Sequence, residues 1–362
     1  MTKLEQKQVF EIIQKFFETP PLTIFGTGMS CAIDNIFGME ALKIQLLEKI
    51  PDILDDVEKE QWKSVVENLN RYDLEKSLDC ITCESLLEKI IKTTGDFVSR
   101  YDKQYSKDIF SGEILWPAES LFQKMVNRYG QGLHVATTNY DMLAEYSFEK
   151  NGIPYISGFT GNIFRKRDWI KSKRTVQLIQ NKWYSRKTIK PCSKEDPHIC
   201  LHKVHGSLNM FLFNEEIIES NLWLHNVPVN VKRLIITPGA LKYEKLHQYR
   251  SELLSNFDSA VEIHNTFLFL GFGFNDSQII NQALQTKLFT NKCRCLIITK
   301  ESNERIENFL SGADNLWLIK KGENSESTFI KNRNYEEPLT ISGENLWNIS
   351  EFSNRFLGGG NE

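Results

Sequence analysis

Leu133-His134-Val135-Ala136-Thr137-Thr138-Asn139-Tyr140-Asp141 and Leu201-His202-Lys203-Val204-His205-Gly206-Ser207 carry the strand signal that fixes the fold. Each is an apolar run that ends in polar side chains able to do chemistry. In an open parallel sheet, ligands sit just beyond the C-terminal ends of such strands, near the point where strand order reverses. An amide from Asn139, a carboxylate from Asp141 and an imidazole from His205 would then converge on one small molecule, although they lie far apart in sequence. The pattern predicts an active site.

Other runs read the same way. Leu22-Thr23-Ile24-Phe25 leads into Gly26-Thr27-Gly28-Met29-Ser30. Here a glycine-rich turn would let the backbone approach a phosphate, and Ser30 could cap the next helix. Leu234-Ile235-Ile236-Thr237, Thr266-Phe267-Leu268-Phe269-Leu270 and Cys295-Leu296-Ile297-Ile298 have the continuous apolar character of strands covered on both faces. Pro154-Tyr155-Ile156 and Leu316-Trp317-Leu318-Ile319 add two shorter candidates. The fold class is α/β, a Rossmann-like, mostly parallel sheet with helices on both faces.

Residues 39–94 contain no glycine and one proline, Pro51, and Leu42, Leu46, Leu86, Leu87, Ile90 and Ile91 recur at helical spacing. A nicotinamide dehydrogenase would place a second strand with a ribose-binding acid about 20 residues after the glycine turn; here that position is helical. The stretch from about 40 to 128 is therefore read as a helical insertion lobe. Residues 1–300 form the ligand-binding catalytic domain, with a variable basic segment at about 160–195. Residues 301–362 form a C-terminal extension that completes the domain or mediates assembly, ending in Gly358-Gly359-Gly360, a tail expected to be mobile.

The bulk numbers exclude several classes. With 362 residues, 41% hydrophobic, 25% charged and a net charge of -3, the chain is an ordinary globular protein with no overall pull toward nucleic acid or anionic membrane. Nothing approaches the roughly 20 apolar residues of a membrane span. Residues 1–18 are charged throughout and read as an amphipathic helix stopped by Pro20-Pro21 rather than a signal peptide, so a cytoplasmic location is expected. Residues 165–190 hold many bases and a single acid, Asp168, interleaved with Trp169, Trp183 and Tyr184. That pattern suits single-stranded nucleic acid. A solvated hairpin or a protein contact explains it equally well, so the segment is a partner surface only. Seven cysteines argue against a secreted disulfide framework. Cys80-x-x-Cys83 lacks a second pair, and Cys192, His198 and Cys200 are too loose for a four-ligand zinc site, so no metal is expected. The remaining histidines, His134, His198, His202, His225, His247 and His264, are read as structural.

In this order the motifs resemble the sirtuin superfamily, and within it the zinc-less bacterial sirtuin-like NAD-hydrolysing proteins of antiphage defence. The matching elements are Gly26-Thr27-Gly28-Met29-Ser30, Thr137-Thr138-Asn139-Tyr140-Asp141, Lys203-Val204-His205-Gly206-Ser207, Thr237-Pro238-Gly239 with Lys242-Tyr243, and Gly271-Phe272-Gly273-Phe274-Asn275-Asp276. They span about residues 20–285. The resemblance implies NAD as substrate, lying across the strand ends. It places Gly26, Thr27, Gly28 and Ser30 at the pyrophosphate and its ribose. Asn139 and Asp141 fall near the nicotinamide ribose and carboxamide, followed by His205, Gly206 and Ser207, with Gly271, Gly273 and Asn275 on the adenosine side. Asn139 and His205 are the catalytic pair. Nicotinamide departs through an oxocarbenium-like state that needs little acid catalysis. Asn139 can then hold water or a ribose hydroxyl without adding charge, and His205 can take a proton.

The chain departs from the superfamily's deacylases. No cysteine occurs between His205 and Cys293, so their zinc module is missing, and Cys31-Ala32-Ile33-Asp34-Asn35-Ile36-Phe37-Gly38-Met39 replaces their Gly-x-Pro-Asp-Phe-Arg-like element. Water as acceptor fits better: an NAD glycohydrolase yielding nicotinamide and ADP-ribose, depleting cellular NAD during infection. Such an activity needs gating, by homo-oligomerisation or by a partner such as a HerA-type ATPase. ADP-ribosyl transfer, NAD-dependent deacylation and non-catalytic sensing of NAD or ADP-ribose are the alternatives.

Overall fold

In the computed structural model, residues 4–185, 188–237, 247–324 and 326–358 are described, with the backbone alone along 180–192 and 247–250. Pro238, Gly239, Lys242 and Tyr243, the side chains of Trp183, Tyr184, Cys192 and His247, and Gly359 and Gly360 lie outside the described residues.

Leu22–Phe25 (β1) lies in the interior of a nine-stranded sheet. On one side it pairs in parallel with Gly132–Thr137 (β2), which pairs with His198–Lys203 (β8) and through it with Tyr155–Ile156 (β3). On the other side come Thr266–Leu270 (β12), Arg294–Thr299 (β13) and Leu316–Lys321 (β14), all parallel. Ser327–Lys331 (β15) and Leu339–Ser342 (β16) close that edge antiparallel. From β1 the chain proceeds to β2 on one side and from β12 to β13 on the other, which puts the topological switch between β1 and β12.

Every residue of β1 and β12 is buried, because each face of the sheet carries its own core. One face packs Phe17, Phe25, Trp116, Phe122 and Phe148 beneath helices Gln6–Phe16 (α1), Glu119–Tyr129 and Ile349–Leu357. The other packs Phe257, Phe267, Phe269 and Leu310 beneath helices His247–Ile263 and Glu304–Ser311. Phe352 and Phe356 of the last helix sit in the first core, and Phe356 meets Phe10 of α1 at 5.1 Å, so the segment beyond residue 300 is built into the sheet and its cover.

The helical region runs through Met39–Lys49, Asp56–Asn68, Leu74–Ser77 and the 28-residue Glu84–Ser111. Its separate apolar centre, from Leu42 through Trp62 and Leu86 to Phe97, makes it a lobe. Tyr105 and Ile109, at the far end of the long helix, and the whole face of Glu119–Tyr129 belong instead to the sheet's core. The lobe's apolar cluster takes in Phe97, Val98 and Tyr101, and the long helix runs on from it into the sheet's core.

A second sheet went unread in the sequence. It holds five strands: Phe159–Gly161 (β4), Arg165–Arg167 (β5), Gly206–Phe213 (β9), Glu216–Glu219 (β10) and Lys232–Ile235 (β11), all paired antiparallel. The Leu234 run thus belongs here and not to the parallel sheet. Gln177–Ser185 and Thr188–Glu195, in the basic segment, pair as a separate two-stranded hairpin. No helix among the described residues is long and apolar enough to cross a membrane.

Candidate active site

The C-terminal ends of β1, β2, β8 and β12 open onto one cleft. Gly26 and Thr27 follow β1, Asn139 and Asp141 follow β2, His205 follows β8, and Gly273, Asn275 and Asp276 follow β12; all eight line it. The facing wall is largely apolar and comes from the lobe: Phe37, Met39, Leu42, Phe97 and Val98, with Glu75 among them.

Asn139 is held with one end fixed. Its backbone N–H donates to Thr137 Oγ1 at 3.0 Å, and its Nδ2 donates to Gly26 O at 3.1 Å and Ser30 Oγ at 2.9 Å. Ser30 Oγ donates onward to Asp141 Oδ2 at 2.8 Å. Both amide hydrogens are thereby used, and buried Asn139 Oδ1 has no partner among the described residues. A side chain so held offers a ligand an acceptor and not a donor.

Asp141 and the buried charges behind it form one group. Burial pushes the Asp141 carboxyl above the usual range, while Lys203 and the Ser30 hydroxyl pull it back. Lys203 Nζ donates to the Asp141 main-chain oxygen and stands 3.0 Å from Glu145 Oε1. Burial raises Glu145 too, against the same lysine. Asp102, from the long helix, is fully buried and pushed up to about 7, chiefly by loss of solvent. Lys203 thus faces several buried carboxylates, and such a set retains protons that solvated acids would lose.

His205 sits where the chain leaves the parallel sheet. Val204 N still bonds Thr137 O at 3.1 Å; Gly206 then turns at φ +77°, where a Cβ would lie 2.0 Å from Leu234 O, and β9 begins in the second sheet. His205 O accepts from Ile236 N at 2.9 Å, so its backbone belongs to the joint between sheets. Its Nε2 stands 2.7 Å from Asp276 Oδ2.

Seven of the predicted residues line the cleft: Gly26, Thr27, Asn139, Asp141, His205, Gly273 and Asn275. Five do not: Gly28, Ser30, Gly206, Ser207 and Gly271. Ser30 is 1% exposed and lies beneath the cleft as the bridge between Asn139 and Asp141. Ser207 Oγ donates to Tyr140 O at 3.3 Å, bracing the loop that carries Asn139. Gly26 N is bonded to Leu270 O at 3.1 Å and Gly28 N to Gly271 O at 3.0 Å, so neither amide has a hydrogen left for a phosphate. Gly28 lets the two loops pack closely, since a Cβ there would lie 2.6 Å from Gly271 O.

Sequence reasoning gave no role to Asp276, Tyr140 or Asp102. Asp276 stood inside the β12 motif and could have been chosen for its position at a strand end. Tyr140, whose hydroxyl donates to Ile236 O at 2.7 Å, and Asp102, in mid-helix, carry no sequence signal of their place.

The SIR2-like domain family matches residues 133–317, and the chain belongs to that family. One solved structure, described as "Structural Basis for the Mechanism and Regulation of Sir2 Enzymes", is similar at a TM-score of 0.40 and 13% identity, over 84% of this chain and 89% of that one. No curated protein matches.

Proposed function

We propose that this protein is an NAD glycohydrolase that releases nicotinamide and ADP-ribose, and that it serves antiphage defence by draining cellular NAD. The observation that carries the reading is the unpartnered Oδ1 of Asn139, held as an acceptor in the same cleft as His205. Membership of the SIR2-like family supports NAD as the ligand. A lone buried acceptor beside an imidazole fits a ribose hydroxyl or a water, so the donor set suits that substrate.

Bound NAD would supply a cationic nicotinamide that leaves as a neutral base. The chain's own residues do the rest. Asn139 Oδ1 accepts a hydrogen from the water or the ribose hydroxyl and orients it, and His205 receives the proton. The apolar lobe wall keeps other water away from the reacting pair. Gly26 lines the cleft with its amide hydrogen already committed to Leu270 O. An acceptor other than water is disfavoured by the missing deacylase elements. Gating by self-assembly or by a HerA-type ATPase partner follows from the resemblance, with the lobe, the basic hairpin and the C-terminal segment as the available surfaces.

Incubating the purified chain with NAD and separating the products by chromatography tests the reading. Nicotinamide and free ADP-ribose appear without any added acceptor. Asn139→Ala and His205→Ala each abolish NAD loss while leaving the circular dichroism spectrum unchanged. Release that needs a protein or acyl-peptide acceptor would make the chain a transferase or deacylase, and binding without release would make it a sensor. Wild-type turnover in either variant overturns the catalytic assignment.

A further inference from the structure

The loop after β12 is built to hold one carboxylate still. Phe274 adopts φ +59°, a left-handed conformation unusual for an aromatic residue, and its buried ring is held between Phe269 at 4.7 Å and Phe309 at 4.6 Å. The two residues that follow, Asn275 and Asp276, line the cleft. Asp276 then fixes itself: Oδ1 accepts from Gln278 N at 2.8 Å and Ile279 N at 3.3 Å, and its main-chain oxygen accepts from Ile280 N at 3.0 Å. The other oxygen, Oδ2, faces His205 Nε2 at 2.7 Å, with both side chains 11% exposed. The ring N–H does not lie along that line, and catalytic contacts of unliganded sites commonly align only when the site is loaded.

We propose that Asp276 is the positioning residue of His205, setting which ring nitrogen acts as the base. This rests on the hydrolase reading above. An ionised carboxylate at Nε2 keeps a hydrogen on that nitrogen, which leaves the lone pair on Nδ1. During hydrolysis an O–H bond of the water or ribose hydroxyl breaks and an N–H bond forms at Nδ1. The imidazolium carries the charge gained, opposite the carboxylate of Asp276, which keeps its own charge and takes up no proton.

Asp276→Asn is the informative change. Asparagine retains the oxygen that caps Gln278 and Ile279, since Asn and Asp cap about equally well. It turns an amide N–H toward Nε2, however, and a donor there demands a lone pair on Nε2 and moves the hydrogen to Nδ1. Two readouts apply. Nitrogen-15 spectra of histidine-labelled protein, with the His205 signal assigned by its loss in His205→Ala, report the tautomer without substrate. They should show Nε2–H in the wild type and Nδ1–H in the variant. Nicotinamide release should lose about 10²–10⁴-fold in kcat, with KM little changed.

An Nδ1–H tautomer in the wild type overturns the proposal without any variant, as does an Asp276→Asn protein with wild-type tautomer and kcat. The hydrolase reading survives both results. If the wild type releases no nicotinamide, the hydrolase reading fails on its own, and the tautomer still decides whether Asp276 sets His205.

Discussion

A buried amide can face a ligand with either end, and the choice at Asn139 is made by Gly26 O and Ser30 together. The Ser30 hydroxyl accepts from Asn139 Nδ2 and gives its own hydrogen to Asp141, so one small side chain serves two functional ones. Alanine there leaves an Asp141 oxygen and an asparagine hydrogen buried without partners. Leaving a buried polar group unsatisfied costs about 1–3 kcal/mol. Ser30→Ala should therefore lower unfolding free energy by about that amount, read from denaturant midpoints. It should also slow nicotinamide release, because Asn139 keeps only Gly26 O to hold its orientation. An unchanged midpoint would mean that the bridge is not made.

At the scale of elements, the loop after β2 is clamped from behind. Leu208 N bonds Tyr140 O at 2.9 Å from the second sheet. Met142 N donates to Asp102 Oδ1 at 2.7 Å, and Tyr146 Oη donates to Asp102 Oδ2 at 2.6 Å, from the long helix. The long helix thus reaches the loop that carries Asn139 through a buried acid as well as through the apolar contacts of Ile91 and Val98. The folded pKa of Asp102, about 7, lies above the ordinary aspartate value of about 3.9. The folded state consequently holds the proton more tightly, and the stability this contributes is complete below about pH 4 and lost as pH rises through about 7. Asp102→Asn keeps the acceptor for Met142 N and has nothing to ionise. Its melting temperature relative to wild type should rise from pH 4 to 7 and level off above, whereas parallel melting curves would rule out a titrating Asp102. None of this could be read from the sequence, where Asp102 is one acid among many on a helix. β1 and β12 were legible because they are nearly continuous apolar runs buried on both faces, and β2 and β8 because short apolar runs end in polar side chains. The second sheet was not, because Leu208 to Phe213 follows His205 without a break and the turn that separates them is the single residue Gly206. The partners of the Gly26 and Gly28 amides were hidden for a similar reason. Which carbonyls their amides meet depends on β12, far along the chain.

Across the whole molecule, the two faces of the sheet differ in one respect that should show in acid. On the face covered by helix His247–Ile263, four rings stand in a row: Trp169, His202, His134 and His264, with successive centroids 5.2, 5.3 and 5.2 Å apart. His134 Nδ1 and His202 Nε2 share a hydrogen bond of 3.1 Å. Burial, reinforced by the neighbouring imidazoles, drives His134 down to about 3 and His202 well below its ordinary value; burial lowers His264 as well. Folded, these imidazoles stay neutral, whereas in the unfolded chain they take up protons near pH 6.5. The stability tied to them is present above about 6.5 and is lost as pH falls toward 3. The buried acids Asp102, Asp141, Glu145 and Glu219 run the other way, since their raised values favour the folded state at low pH. The wild-type profile is therefore a difference between two opposed groups, and a variant must remove one of them cleanly. Replacing both partners of a buried hydrogen bond with apolar groups of similar shape is close to neutral for stability. His134→Phe/His202→Phe does this while keeping the stack of rings, and it also removes His202 Nδ1, which has no partner among the described residues. Near pH 8 the double variant should unfold at close to the wild-type denaturant midpoint, and its advantage should grow steadily as pH falls from 7 to 4. An equal pH dependence in the two proteins would show that these imidazoles are not kept neutral by the fold.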